Sequence, residues 1–319
     1  SYGAGGSDVY LIKVDANGNI RWNKTFGGTR DDWGYSVQQT RDGGYIIIGE
    51  TKSYGAGSYD VYLIKVDANG NMQWSKTFGG GGIDWGYSVQ QTRDGGYIIV
   101  GYTTSYGAGS YDVYLIKVDA NGNIRWNKTF RGGGSSLGYS VQQTSDGGYI
   151  IIGETLSYGG YDVYLIKVDA NGNMQWSKTF GGTGDDRGYS VQQTSDGGYI
   201  IVGVTTSYGA GGADVYLIKV DANGNMQWNR TFGGADYDGG YSVQQTRDGG
   251  YIIVGETASY GAGGADVYLI KVDANGNMQW SKTFGGARND WGYSVQQTSD
   301  GGYIIVGYTT SYGAGGEDV

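Results

Sequence analysis

The chain has 319 residues, a formal charge of −9 from 31 acidic and 22 basic side chains, and neither cysteine nor histidine. Disulfides, thiolate chemistry and Cys-ligated metal centres are thereby excluded, and the usual neutral-pH proton shuttle is missing. The acidic balance disfavours nucleic acid and anionic membranes, which need a positive field, and no apolar run approaches the ~20 residues of an inserted helix. No nucleic-acid partner and no membrane insertion are expected. The chain opens on Ser1 without a signal-peptide pattern, so a processed or trimmed form is expected.

Glycine supplies 65 residues, a share that leans toward low complexity, but the glycines recur at fixed offsets from apolar runs and so punctuate strands. Residues 8–26 hold two strand patterns, DVYLIKV and IRWNKTF, joined by a short turn. From residue 34 a full unit follows, with strands YSVQQT at 35–40, YIIIGE at 45–50, DVYLIKV at 60–66 and MQWSKTF at 72–78. Val, Ile, Tyr, Thr and Trp fill these runs, as strands favour. RDGG and DANGN are short enough only for hairpins, with DG and NG at the left-handed turn positions. The connections TKSYGAGSY and GGGGIDWG are longer, so each unit is a four-stranded antiparallel meander followed by a step to the next sheet.

The unit recurs to the end of the chain. The tryptophans of the motif NGNxxW stand at Trp22, Trp74, Trp126, Trp176, Trp228 and Trp280, 52 residues apart except for 50 between Trp126 and Trp176. The second and third strands of each unit are apolar on both faces, which a sheet exposed on one side would not be, so neighbouring sheets are expected to stack. Residues 1–9 (SYGAGGSDV) and 311–319 (SYGAGGEDV) duplicate each other 310 residues apart. A blade shared between the strands near 8–26 and those near 293–308 would leave no half-module exposed. The expected fold is therefore all-β: one closed six-bladed β-propeller over residues 1–319, with four antiparallel strands per blade and pseudo-sixfold symmetry.

The motifs YSVQQTSDGGYIIVG and DVYLIKVDANGNMQW resemble the secreted bacterial and archaeal β-propeller repeats, and are similar to propellers of the quinoprotein type. In the latter, a tryptophan after a like turn docks adjacent blades. The resemblance implies a propeller, an extracellular or cell-surface setting, and a docking role for the six tryptophans of the motif. It does not imply a cofactor, and none is expected. Narrower patterns fail: KVDANGNIRW at 13–22 lacks the Asp-box spacing, and Asp15, Asn17 and Asn19 miss the register and final Glu of a calcium loop. No metal site is expected, and DGGY precedes no helix that would make it a phosphate cradle. The sequons at Asn23, Asn127 and Asn229 fall within strands.

Differences between copies concentrate in the two longer connections, on the face opposite the hairpins, where a rigid scaffold tends to carry binding residues. Trp33, Trp85 and Trp291 are assigned there. The residue ending the second strand alternates as Glu50, Tyr102, Glu154, Val204, Glu256 and Tyr308, a sub-pattern two blades long. History at a tolerant position explains it; a ligand or cation ring, or local charge pairing, are the alternatives. Glu50, Tyr102, Glu154, Glu256, Tyr308, Trp33, Trp85 and Trp291 are the candidate ligand-binding residues. No catalytic residues are assigned, because Asp31–Asp32 and Asp185–Asp186 read as solvated loop charge. The expected function is a non-enzymatic scaffold or binding module for a carbohydrate or protein ligand, monomeric but prone to swapping between chains. A carbohydrate-active hydrolase or lyase at the long-loop face is the alternative. A recently amplified or engineered propeller without a specialised ligand is the third reading.

Overall fold

The computed structural model describes residues 5–313; residues 1–4 and 314–319, on which much of the terminal duplication falls, lie outside them. Among the described residues the ordered elements are all strands. They run β1 Val9–Val14, β2 Ile20–Phe26, β3 Asp32–Gln39, β4 Tyr45–Thr51, β5 Asp60–Val66, β6 Met72–Phe78, β7 Asp84–Gln91, β8 Tyr97–Thr103, β9 Asp112–Val118, β10 Ile124–Phe130, β11 Ser136–Gln143 and β12 Tyr149–Leu156. The series continues with β13 Tyr161–Val168, β14 Met174–Phe180, β15 Asp186–Gln193, β16 Tyr199–Thr205, β17 Asp214–Val220, β18 Met226–Phe232, β19 Asp238–Gln245, β20 Tyr251–Thr257, β21 Asp266–Val272, β22 Met278–Phe284, β23 Asp290–Gln297 and β24 Tyr303–Thr309. Two compact units divide the chain: residues 1–143 with 147–149 and 169–173, and residues 144–146, 150–168 and 174–319.

In the first unit β3-β4-β5-β6 and β7-β8-β9-β10 are four-stranded antiparallel meanders; in the second, β15 to β18 and β19 to β22 repeat the pattern, and β13 pairs with β14. Turn chemistry sets these hairpins. Gly70 sits at φ 78°, a left-handed conformation that costs glycine least, while the Asp67 carboxylate accepts the Asn69 and Asn71 amides at 2.8 and 2.9 Å. The DANGN segment is thus a turn closed by its own aspartate.

Sheets stack face to face. In the first unit Ile46, Ile48 and Leu63 pack with Tyr97, Ile99, Ile116 and Val118 of the next sheet; in the second, Val202, Val215 and Leu217 do the same with Tyr251, Ile253 and Ile270. Strands β5, β8, β9 and β17 are buried at every residue, which is why they do not alternate.

The paired glutamines of YSVQQT tie neighbouring sheets by backbone bonds. Gln38 accepts the Gln91 amide at 2.6 Å, and the Gln91 side chain accepts the Arg41 amide of the preceding sheet at 2.9 Å. Gln244 and Gln297 repeat this in the second unit, with Arg247 as the turn donor.

One feature departs from the expected elements. The first strand of each unit starts earlier than residue 35: β3 begins at Asp32, and Trp33, Trp85 and Trp291 lie on strands rather than in the variable connection. A bulge between Gly34 and Ser36 breaks the alternation there, hiding the strand's first turns from a period-two reading. Strands β1 and β2 form a two-stranded sheet, as do β23 and β24. Their apolar side chains are correspondingly open: Ile304 and Val306 are 61% and 54% exposed, whereas Ile252 and Val254 at the same places in a full sheet are fully buried.

Candidate functional site

At the long-connection end, a buried aspartate opens each first strand except β11, where Ser136 takes the place. Asp32 accepts the Gly28 amide at 2.7 Å, the Ser53 hydroxyl at 2.6 Å and the Thr51 hydroxyl. Asp32 and Asp186 are wholly buried, so these members of the adjacent carboxylate pairs are not solvated loop charge: each pins two connections together. Asp60 is buried as well, and burial, with the nearby Asp84 carboxylate adding to it, raises its pKa.

One residue along, the alternating position faces the next sheet. Glu50, Tyr102, Glu154, Val204 and Glu256 are all buried, and Tyr308 is half-buried. Glu50 accepts the Tyr35 hydroxyl at 3.0 Å; Glu256 accepts that of Tyr241; Glu154 meets Arg187 Nε at 3.2 Å. Burial pushes the Glu50 carboxyl up to about 7, against the pull of the Tyr35 hydrogen bond and Lys52. Burial raises Glu256 likewise. The glutamates therefore sit inside the junctions, each with a partner.

The same end carries an aromatic surface that sequence reasoning missed. Tyr35, Tyr87 and Tyr139, one from each successive first strand of the first unit, stand 5.5 and 5.4 Å apart. In the second unit Tyr189, Tyr241 and Tyr293 repeat the row at 5.5 Å. Trp85 packs against Tyr59, Tyr87 and Tyr102, and Trp291 against Tyr308 at 4.6 Å. Trp33 and Tyr35 remain 39% and 41% exposed. Invariance of this tyrosine among the copies was the available signal.

The opposite, hairpin end is built on buried lysines. Lys65 pairs with Asp42 at 2.9 Å and donates to Val66 O and Gln73 Oε1 at 3.0 and 3.1 Å. Its partners hold the Asp42 carboxyl at about 2. The motif tryptophans close the same end: Trp22, Trp74, Trp126, Trp176, Trp228 and Trp280 each meet a tyrosine that opens the second strand of the following sheet, at 5.8–6.1 Å. A Cβ on Gly70 would fall 2.8 Å from the Trp22 ring, so the glycine there also admits the docked indole.

Repeated four-stranded antiparallel meanders, stacked face to face and pinned at both ends, define a multi-bladed β-propeller with internal symmetry. A family model described as a domain of unknown function (DUF5122) beta-propeller matches residues 92–124. Among solved structures, Sqt1 from Chaetomium thermophilum bound to the N-terminus of the ribosomal protein L10 superposes with a TM-score of 0.58 at 12% identity, over 93% of this chain and 75% of that one. Another structure of Sqt1 from the same organism gives 0.54 at 10% identity, over 93% and 74%. No curated protein sequence matches the chain.

Proposed function

We propose that the chain is a non-catalytic binding module, set outside the cell or on its surface, that holds a carbohydrate over the tyrosine rows at the long-connection end. The tyrosine rows carry this reading. Aromatic faces stack on the apolar faces of sugar rings while phenolic hydroxyls orient them by hydrogen bonds. Trp33, Tyr35 and Tyr293 are exposed, and Trp33 and Tyr35 sit on a strand fixed by the Asp32 network rather than on a free loop. A glycan panel on the intact chain tests it, with Trp33→Ala and Tyr35→Ala as variants. Binding should fall about tenfold in each, the scale of one lost stacking contact with its buried area. Undiminished binding in both variants, or no glycan bound at all, refutes the carbohydrate assignment.

Two specific observations favour other readings. The Sqt1 structure holds the N-terminus of a ribosomal protein, which supports a protein segment as the ligand of a chain with this architecture. The Glu50 carboxyl, pushed up to about 7, has the acidity of a general acid, which favours a glycoside hydrolase or lyase. Its 1% exposure and its bond to Tyr35 weigh against contact with substrate. Turnover assays on any glycan that binds separate these readings.

A further inference from the structure

Among the four-stranded sheets the hairpin end differs at one junction, where arginine replaces the glutamine beside the buried lysine. At the junction of Lys65 a groove of about 470 Å³ is lined by Arg41, Gln73, Trp74 and Tyr97 among others. The next groove, over Lys117, measures about 770 Å³ and is lined by Arg93, Arg125, Trp126 and Asn171 among others. Gln73 Oε1 accepts from Lys65 in the first, as Gln175 and Gln227 accept from Lys167 and Lys219 elsewhere. Arg125 holds that position beside Lys117. A guanidinium has no acceptor to offer, and Lys117, only 5% exposed, bonds to Asp94 and Val118 O. Arg21 stands at the same place in β2, but there the sheet has two strands and Lys13 lies over the Tyr45 ring.

We propose that the groove over Lys117 binds a uronate-bearing saccharide, whose carboxylate takes the acceptor place that Gln73 fills beside Lys65. Arg93, Lys117 and Arg125 bring three cations to this groove. The two carboxylates that line it are already engaged: Asp94 by Lys117 and Thr92, Asp119 by the Asn121 and Asn123 amides. An incoming carboxylate thus meets surplus positive charge over a buried ammonium, and Arg125 presents the planar fork that matches it. Trp126 forms a half-buried wall beside Arg125, edge-on to Tyr149 at 5.9 Å. The hairpin asparagines Asn121 and Asn171 line the rim. An indole with amides around it suits a sugar ring and its hydroxyls better than an extended acidic peptide, which needs no stacking partner.

The experiment compares trigalacturonate, galactotriose and triglutamate by calorimetric titration of the intact chain, its Arg125→Gln variant and its Tyr35→Ala variant. Arg125→Gln reproduces the sequence of the neighbouring copies, so its fold is retained by design of the repeat, and an unchanged thermal midpoint verifies that. Trigalacturonate should bind at least tenfold more tightly than galactotriose or triglutamate, and Arg125→Gln should lose at least tenfold. Tyr35→Ala, at the other end of the sheets, should leave uronate binding unchanged, so this site and the tyrosine surface fail separately. Absence of trigalacturonate binding, or binding that Arg125→Gln leaves intact, overturns the proposal. Triglutamate binding as tightly as trigalacturonate assigns the groove to acidic protein segments and overturns it equally.

Discussion

Glu50 shows how a residue gains meaning from what faces it. The chain shows Glu, Tyr, Glu, Val, Glu, Tyr in alternation but not the side chains that meet them, which lie on the next sheet or on the neighbouring strand of the same one. Arg187 opposite Glu154 and the tyrosine hydroxyls at Glu50 and Glu256 are such partners. Local charge and polar pairing inside the junction is thus the physical content of the alternation, and spacing alone gave no way to separate it from a ligand ring. Because the folded carboxyl of Glu50 titrates at about 7 against 4.5 for the free group, its protonated form is the one the fold favours. Its contribution to stability is complete below pH about 4.5 and is lost as the pH rises through 7. Glu50→Gln keeps an acceptor for Tyr35 without the buried charge. It should stabilise the protein by about 2–3 kcal/mol at pH 8 and leave it nearly unchanged at pH 4, as read from denaturant midpoints at the two values. Asp60, raised by burial beside Asp84, should respond to Asp60→Asn in the same direction: a higher thermal midpoint at neutral pH, converging with the parent on acidification.

The four-strand unit was legible because its turns and apolar runs act locally: DG and NG fix hairpins, and runs apolar on both faces demand cover. The links between units were not, because they are polar bonds between residues about 50 apart that leave no periodic mark within a strand. The glutamine pair is the clearest case. Gln38, Gln90, Gln192 and Gln244 each accept a backbone amide of the next sheet at 2.6 Å, so truncating one leaves a half-buried N–H without its acceptor. Gln90→Ala should cost about 1–2 kcal/mol by urea denaturation, with the slope of the transition unchanged. An equal exposed truncation such as Asn69→Ala, in a hairpin whose Asp67 keeps its backbone donors, should cost less than half as much. Equal costs would mean that the glutamines do not join the sheets.

At the scale of the molecule, the repeat itself supplies a way to complete the terminal sheets. β24 copies the second strand of the unit and β1 the third; in full sheets these pair so that Val100 lies opposite Leu115, as Val254 lies opposite Leu269. The corresponding residues are Val306 and Leu11. Tyr10, Ile12 and Val14 on β1 and Ile304 and Val306 on β24 are about half exposed. Each would gain about 1.5–3 kcal/mol from full burial, and both strands carry an unpaired edge of the kind that recruits another strand. Near-identical sheets make the source of that strand a choice between the same chain and a second copy. Leu11→Cys with Val306→Cys decides it, and no native cysteine competes. A disulfide within one chain would show as a faster-running monomer on a non-reducing gel, with an unfolding midpoint raised on oxidation. A disulfide-linked dimer would mean that the half-sheets are exchanged between copies, and failure of either product to form under mild oxidation would refute the β24-to-β1 register. A chain lacking residues 1–27 carries no β1 in any copy for β24 to pair with. Ile304 and Val306 then stay half exposed beside an open edge, so the truncated protein should associate at micromolar concentration; a monomer of undiminished stability would show that β24 recruits no further strand.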